Sequence, residues 1–571
     1  MKQANIGATG NAPVRVPRWA YPVVTVVGLL LGAEAIVRGT RAVVSITDSD
    51  LTNFFFRSAD YILRGDPWHM YAVRASGAYP NYNPPLSIAL MAPLLALARA
   101  VGFANNYGEV ITFVCIPFLV FVPLLGYLVL RVLRHLYPEM PEAQQLIAYG
   151  LILLSPLTWQ TYGTWYHIEQ PMMLCLLVGA VLAVQQRRET LGGVLAGLAV
   201  MTRTTALIPL IALGLLLLFA GQWRALFKLA GAAAVVVAVI MAPFFLVDRA
   251  DTVYSFLTWR GSAPIGGNSI WSIFAAGNTT TGIRHTLDSV ARRLDMPTVI
   301  LFVLVATYLA VRTFRISAYS REAWAVLTVA ALAVPMLSKT NWPYYYLEPF
   351  VPMLIWEFTS MYDRRSGVWR WPVLSLSYLA IAATLSQYIG LQSVGFLDRV
   401  GVGFLDFACM LGFVLLIWYR LQAVKPSPAD GVGSVYVRSP GSVGMAPQGG
   451  PIMSTTAEAF ERGSSGAPLP GVASPPSPQV PRTAFVSPSR TASVPMPPAE
   501  NPPSTVNWPN LSPAPRPDSP SFGPAGTSGR MYSNTPPWQL NGPAGRESTL
   551  PPVSEQWPDL RPPQNSTGPG Q

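Results

Sequence analysis

Two aspartates follow the first long apolar stretch of the chain. The stretch covers residues 19–37, and Asp48 and Asp50 come shortly after it. An apolar helix of this length can cross the hydrocarbon core of a bilayer, so the acids are expected at a membrane boundary. A carboxylate placed there can accept a proton from a bound hydroxyl group. The structural alternatives are that Asp50 caps the helix-like run beginning at Leu51, since aspartate is a favoured N-cap residue, and that Asp48 is a solvated loop charge.

Polar and aromatic residues concentrate again at the entrance of a later apolar segment. His167 and Glu169 stand there beside Trp165 and Tyr166, residue types that suit the recognition of a sugar or a lipid. Tyrosine and tryptophan also anchor helices at the membrane interface, which is the structural alternative. On a helix His167 and Glu169 would point to different faces, so a metal site shared with the aspartates is the weaker interpretation. We predict neither a bound metal nor a cofactor.

Two cations break the charge pattern of the apolar segments. Arg203 and Lys339 each stand at the end of such a segment, on a side of the membrane that is otherwise poor in basic residues. A cation in that position needs an anionic partner or a water-filled cavity, and a phosphate leaving group is one such partner. Snorkelling to lipid headgroups is the alternative. Asn341 and Tyr344 follow Lys339 and are predicted to line the same cavity.

The composition is that of a membrane protein. The chain has 571 residues, of which 51% are hydrophobic and only 12% charged, and its mean hydropathy is +0.35. A soluble protein would carry about 25% charged residues. The net charge of +11 lies mainly in short loops between apolar segments, which argues against nucleic-acid binding. No zinc-binding cysteine spacing, Walker motif or protease motif with supporting context occurs, so nucleotide-driven transport and proteolysis have no support.

Hydropathy predicts an all-α polytopic protein with about twelve spans. They are 19–37, 109–133, 144–160, 167–186, 190–203, 204–221, 225–247, 297–313, 322–338, 343–360, 371–389 and 402–421. If residues 84–100 do not cross, the basic clusters between spans all face the cytoplasm, as the positive-inside rule requires. We therefore predict that 84–100, broken by Pro93, is an interfacial or re-entrant helix on the outer face.

This topology divides the chain into three parts. Residues 1–18 form a cytoplasmic N-terminus, and 19–423 form a transmembrane catalytic domain with outer loops at 38–108 and 248–296. Residues 424–571 are rich in proline, serine and glycine, and are predicted to be a disordered cytoplasmic tail. The tail is either a solvated tether or a binding segment for protein partners through its repeated Ser-Pro pairs.

The order of several motifs resembles glycosyltransferase family 87, of the GT-C superfamily of membrane transferases. The motifs are Asp50-Leu-Thr-Asn-Phe-Phe, Tyr82-Asn83-Pro84-Pro85-Leu86, Gly193-Val-Leu-Ala-Gly197 followed by Arg203, and Gly267-Asn268-Ser269-Ile270. The resemblance covers roughly residues 19–420. The chain departs from the family pattern at Gly163–Gln170 and in having Arg203 where lysine is more usual.

The resemblance implies an activity and a set of site residues. It implies inverting transfer of a mannose-like hexose or a pentose from a polyprenyl-phosphate donor to a hydroxyl of a lipid or glycan acceptor, at the outer face of the cell membrane. Asp50 would be the general base, with Asp48 as the second catalytic candidate in a supporting or incidental role, and the donor phosphate would lie near Arg203 or Lys339. Juxtamembrane helices in the first outer loop are also implied. The full set of predicted substrate-binding residues is His167, Glu169, Arg203, Lys339, Asn341, Tyr344, Tyr82 and Asn268.

Two other functions stay open at this stage. A transporter or flippase of a lipid-linked or anionic substrate would use the acids and Arg203 as substrate or proton-relay groups, although no repeat relates the two halves of the chain. A scaffold would act through the tail, and its function would be lost on tail deletion but not on Asp50 substitution.

Overall fold

The computed structural model describes residues 16–41, 43, 49–71, 81–103, 106–259, 265–275, 282–360, 371–387 and 396–423. Asp48 and the predicted tail lie outside these residues. The α-helices are α1 Ala20–Thr40, α2 Arg57–Leu63, α3 Pro85–Ala100, α4 Tyr107–Phe118, α5 Phe121–Leu136, α6 Glu142–Leu153, α7 Pro156–Gly163, α8 Glu169–Gln185, α9 Glu189–Thr202, α10 Leu207–Phe219, α11 Trp223–Val247, α12 Arg249–Val253, α13 Gly282–Phe314, α14 Ala323–Leu337, α15 Leu347–Ser360, α16 Val373–Gln387 and α17 Phe396–Ala423.

The described part of the chain is almost entirely helical. One pair of two-residue parallel strands, β1 Gly266–Gly267 and β2 Thr340–Asn341, is its only sheet. Among the described residues, five helical stretches are long and apolar enough to cross a membrane: α1, α4 with α5, α11, α13 and α17. Six shorter apolar helices accompany them. The prediction of an all-α polytopic membrane protein is confirmed, whereas the count of twelve spans stays a prediction.

Proline divides two of the predicted spans. The span predicted over 109–133 consists of α4 and α5, which separate just after Pro117. The span predicted over 144–160 consists of α6 and α7, which separate at Ser155 before Pro156. The N–H that Pro123 lacks leaves the Leu119 carbonyl to accept from Val122 instead, and Pro156 restricts the backbone of Ser155, so both breaks have a local cause. The break predicted at Pro93 is wrong, because α3 runs continuously through that residue.

Helix α13 begins earlier than hydropathy predicts. It starts at Gly282, so the last part of the outer loop predicted over 248–296 is helical. This extension is amphipathic: Asp288, Ala291 and Asp295 are buried at helical spacing, and Asp288 pairs with Arg292 at 2.6 Å. A hydropathy window misses this first part of α13 because its buried face carries aspartates.

Glycines allow α9 to pack closely against α11. A Cβ at Gly193 would collide with the carbonyl oxygen of Leu229, and one at Gly197 would lie 2.7 Å from Val236 Cβ. Both positions therefore require glycine, which explains the glycine-rich pattern of this helix. The close packing fixes the end of α9, and Arg203 follows that end directly.

A second close crossing joins α1 to α7. A Cβ at Gly39 would collide with the carbonyl oxygen of Gly163, and one at Gly163 would lie 2.9 Å from Ala35 Cβ. These glycines stand near the ends of their helices, so the segments that follow α1 and α7 are brought together. Those segments carry Asp50 and His167.

Candidate active site

Asp50 precedes a π-helical turn, Leu51–Phe56, which continues into α2. Its side chain does not cap this turn; instead the Ser49 hydroxyl accepts the hydrogen bond from the backbone N–H of Thr52, at 3.2 Å. Because the Asp50 side chain makes no capping hydrogen bond to the described residues, the interpretation of Asp50 as an N-cap is wrong. The Asp50 side chain is 47% exposed, so it can reach both a substrate and the buried groups beside it.

His167 lies between Asp50 and Glu169. Its Nε2 is 3.4 Å from Asp50 Oδ2, and its Nδ1 is 2.8 Å from Glu169 Oε1. The preceding residue, Tyr166, has a left-handed backbone with φ of 56°, a conformation that non-glycine residues adopt rarely and often at functional sites. The expectation that His167 and Glu169 face different sides of a helix is wrong, because α8 begins only at Glu169.

Arg203 occupies the centre of the buried charges. It stands just beyond α9 in an extended conformation; its guanidinium pairs with Glu169, and its Nε lies 3.5 Å from Glu348 Oε1. The guanidinium carbon also lies 4.9 Å and 5.3 Å from the ring centres of Tyr344 and Tyr345, within cation–π range. We call Asp50, His167, Glu169, Arg203 and Glu348 the charged cluster.

Glu348 is a member that the sequence analysis missed. Besides Arg203, its Oε1 accepts hydrogen bonds from Thr205 Oγ1 at 2.7 Å and from Gln170 Nε2 at 3.1 Å. The side chain is only 4% exposed. The signal that could have found it is its position inside the apolar span predicted over 343–360, because an acid within a membrane segment marks a functional site by default.

Two predicted aromatic residues border the charged cluster. The Tyr344 ring lies 3.8 Å from the His167 ring, centre to centre, and is buried. Tyr82 packs its ring 5.5 Å from that of Phe54, in the π-helical turn after Asp50. The structure thus brings Asp50, His167, Glu169, Arg203 and Tyr344 together, with Tyr82 at their edge.

Asn268 and Asn341 belong to a second polar group. Asn341 is the second residue of β2 and Asn268 directly follows β1, and the Asn268 backbone N–H donates to the Asn341 carbonyl at 2.7 Å. The Asn341 amide also donates to Asp406 of α17, and the Asn268 amide donates to the Tyr346 hydroxyl at 3.3 Å. Asp406, which is fully buried, is not among the site residues predicted from the sequence.

Lys339 pairs with an acid of α13. Its Nζ donates to the carbonyl of Arg292 at 2.9 Å and lies 4.0 Å from Asp295 Oδ1. Asp295 also accepts from the Lys339 backbone N–H, at 3.3 Å. Lys339 therefore has a carboxylate of the protein, Asp295, as its partner, just as Arg203 has Glu169.

The charged cluster carries more negative than positive charge. Three carboxylates (Asp50, Glu169 and Glu348) face one guanidinium and one imidazole, which is either neutral or singly positive. Such a site suits the binding of hydroxyl groups, the acceptance of a proton and the stabilisation of positive charge that develops in a substrate. Fold and site together define a multi-pass helical membrane protein with a half-exposed carboxylate beside a buried ion network.

Comparison with known proteins matches part of the chain to one family model. Residues 81–338 match the model of glycosyltransferase family 87. The match confirms, over these residues, the resemblance that the motifs carry, and it indicates a membrane glycosyltransferase. The matched residues include His167, Glu169 and Arg203, while Asp50 and Glu348 lie outside them. A search of curated proteins finds no match.

Proposed function

We propose that the protein transfers a sugar from a polyprenyl-phosphate donor to a hydroxyl of a lipid or glycan acceptor, with inversion and with Asp50 as general base. The observation that carries this proposal is the contact between Asp50 and His167, at 3.4 Å, which links an exposed carboxylate to a buried network. The family match supports the reaction type, and the apolar helices support a donor that resides in the membrane.

Asp50 is suited to take the proton of the acceptor hydroxyl. Its side chain is half-exposed, so an acceptor can approach it, whereas Glu169 and Glu348 are buried and committed to Arg203. The imidazolium form carries a proton on both ring nitrogens, so it can donate from Nδ1 to Glu169 and direct its Nε2–H toward the Asp50 carboxylate. His167 therefore acts as a positioning residue that holds Asp50 for proton transfer.

The negative balance of the charged cluster fits glycosyl transfer. As the bond between the anomeric carbon and the leaving oxygen breaks, positive charge develops on the sugar ring. Carboxylates fixed near that carbon stabilise the charge without having to reorganise. The acceptor oxygen forms the new bond to the anomeric carbon, its proton goes to Asp50, and the donor phosphate leaves with the bonding electrons.

The donor phosphate needs positive charge of its own. Arg203 and Lys339 were the cations predicted for it, but each already has a carboxylate partner within the protein. Arg57, at the start of α2, makes no ion pair with other described residues, and its buried Nη1 has no hydrogen-bond partner among them. We therefore add Arg57 to Arg203 and Lys339 as a candidate contact of the phosphate. The sequence analysis did not single it out.

The site is proposed to face the extracytoplasmic side of the cell membrane, with both termini in the cytoplasm. This placement follows from the basic loops between the spans. The interfacial placement of α3 belongs to the same proposal. Within the protein, Ser87 near its start donates to the Thr202 carbonyl at 3.5 Å, beside Arg203, and Arg99 near its end pairs with Asp60 of α2.

A donor comparison tests the proposed reaction. The full chain, reconstituted in liposomes, would be incubated with radiolabelled polyprenyl-phosphate mannose, polyprenyl-phosphate pentose or nucleotide sugars, and the lipid and glycan products would be identified. We expect transfer from a polyprenyl-phosphate sugar and none from a nucleotide sugar. Transfer from nucleotide sugars alone would contradict the proposal. So would movement of the lipid-linked donor across the bilayer without cleavage, which is the outcome a flippase predicts.

A further inference from the structure

A cavity of about 560 Å³ lies at the end of the α8–α9 hairpin remote from the charged cluster. It is bounded by the α8–α9 turn, the α10–α11 turn and the segment before α14, and its lining includes Arg187, Glu189, Gln222, Arg224, Lys228 and Tyr319. Helix α8 has 17 residues, which is about 25 Å of helix between Glu169 and this cavity. The cavity is therefore separate from the proposed transfer site.

Cations dominate the cavity. Its one carboxylate, Glu189, is almost buried and accepts a hydrogen bond from the Tyr319 hydroxyl at 3.1 Å. The Arg187 guanidinium lies 3.3 Å from the centre of the Tyr319 ring. Arg224 and Lys228 are exposed and form no ion pair with other described residues. Three positive charges thus line the cavity, and the only negative charge that the described residues contribute to it already has a partner.

The shape of the α10–α11 turn places these cations. Gly221 follows α10 with a left-handed φ of 69°, which allows the chain to reverse and start α11 at Trp223. Arg224 and Lys228 are one turn apart on α11, so their side chains lie on one face. The Gln222 side chain contributes a buried oxygen, Oε1, that has no hydrogen-bond partner among the described residues.

Exposed aromatic residues beside the cavity indicate whether an anion bound there comes from the membrane or from solution. Trp223 and Phe227 are 54% and 69% exposed, and their rings are stacked with centres 6.4 Å apart. Tryptophan concentrates where headgroups meet the hydrocarbon region of a bilayer. An anion that approaches beside these rings would carry acyl chains, because a soluble anion gains nothing from them.

We propose that this cavity binds the phosphate-bearing headgroup of an anionic phospholipid. The phosphate would contact Arg224 and Lys228, the Gln222 oxygen would accept a headgroup hydroxyl, and the acyl chains would lie along Trp223 and Phe227. Basic pockets between membrane helices on the cytoplasmic side bind such headgroups. The positive-inside assignment puts this cavity on the cytoplasmic side, opposite the charged cluster.

Native mass spectrometry of the purified full chain tests the proposal. The chain would be titrated in detergent with phosphatidylinositol, phosphatidylglycerol or phosphatidylcholine. The double variant Arg224→Gln/Lys228→Gln would be compared with the charge-matched control Arg131→Gln/Arg312→Gln, whose arginines are exposed and lie outside the cavity lining. Removing two cations from a headgroup site is expected to weaken binding of the anionic lipids about tenfold to thirtyfold. The control should bind as the unmodified chain does.

Further outcomes separate the possible explanations. Equal retention of anionic lipid by both double variants would overturn the proposal, as would equal binding of phosphatidylcholine and phosphatidylinositol. Displacement of the lipid by an equal concentration of inorganic phosphate would show that the site takes soluble phosphate, and would contradict a lipid headgroup. Equal thermal unfolding of the two variants checks that both are folded. The readout does not depend on sugar transfer.

Discussion

Arg203 holds the charged cluster together, and Asp50 stands at its edge. Arg203 pairs with two buried carboxylates and lies against two tyrosine rings, whereas Asp50 is half-exposed and its one ion pair among the described residues is with His167. The two residues therefore differ in what they contribute to stability. Removing one partner of a buried ion pair leaves an uncompensated charge, while an exposed pair contributes little.

Arg203→Ala is expected to lower the free energy of unfolding by about 3–5 kcal/mol, because Glu169 and Glu348 would remain buried without their cation. Denaturant unfolding of the purified chain in detergent measures this. Arg131→Ala, which removes an exposed arginine that has no ion pair among the described residues, is the matched control and should change stability by less than about 0.5 kcal/mol. An unchanged stability for Arg203→Ala would contradict the structural role assigned here.

At the residue scale the sequence predicted most of the charged cluster but not its connections. Asp50, His167, Glu169 and Arg203 were recognisable because each is a polar residue at the end of an apolar segment. Their mutual contacts were not, because they depend on two glycine crossings between helices distant in sequence. Glu348 was missed for the same reason, since only the folded chain places it against Arg203.

At the element scale, helix α9 positions Arg203 through its packing on α11. Gly193 and Gly197 let the two helices approach until side chains no longer fit between them. The pattern of glycines was visible in the sequence, but which helix it contacts was not. Hydropathy also located the apolar helices correctly, while it missed the breaks after Pro117 and before Pro156 and the charged first turns of α13.

Gly193→Ala is expected to destabilise the protein, because the new methyl group would collide with the backbone of α11. Overpacking of this kind costs about 1–3 kcal/mol. Gly231→Ala is the matched control: it lies on α11 with open space around it, so the higher helix propensity of alanine should leave stability equal or up to about 1 kcal/mol greater. Denaturant unfolding of both variants measures the two changes in the free energy of unfolding. Equal effects would mean that the α9–α11 contact is looser than described.

At the scale of the whole molecule, the two ends of the α8–α9 hairpin carry different chemistry. One end has the charged cluster, with its excess of carboxylates, and the other has the basic cavity. The sequence predicted this asymmetry as a difference between outer and inner loops, because basic residues recur in every second loop. The sequence does not predict the cavity, because its lining comes from three segments that are distant in sequence.

The predicted orientation makes a measurable difference to surface labelling. Single cysteines would be introduced as Asp66→Cys and Arg131→Cys after Cys115, Cys175 and Cys409 are replaced. In intact cells a membrane-impermeant maleimide is expected to label the cysteine at position 66 and to leave position 131 unlabelled until the membrane is opened. The reverse pattern would place the charged cluster in the cytoplasm and contradict the proposed orientation.

The central claim is that Asp50 is the general base of sugar transfer, and Asp50→Asn tests it most directly. The variant and its control, Asp66→Asn, would be reconstituted in liposomes, and transfer from a labelled polyprenyl-phosphate sugar would be measured. Asp66 is half-exposed, as Asp50 is, and pairs with His69 alone among the described ion pairs. Loss of a general base lowers the rate about 10²–10⁴-fold, while loss of a half-exposed pair costs less than about 1 kcal/mol of stability.

We therefore expect Asp50→Asn to fold and insert normally and to lose at least about 100-fold in transfer rate, with Asp66→Asn close to the unmodified chain. Transfer by Asp50→Asn at a rate near that of the unmodified chain would contradict the account.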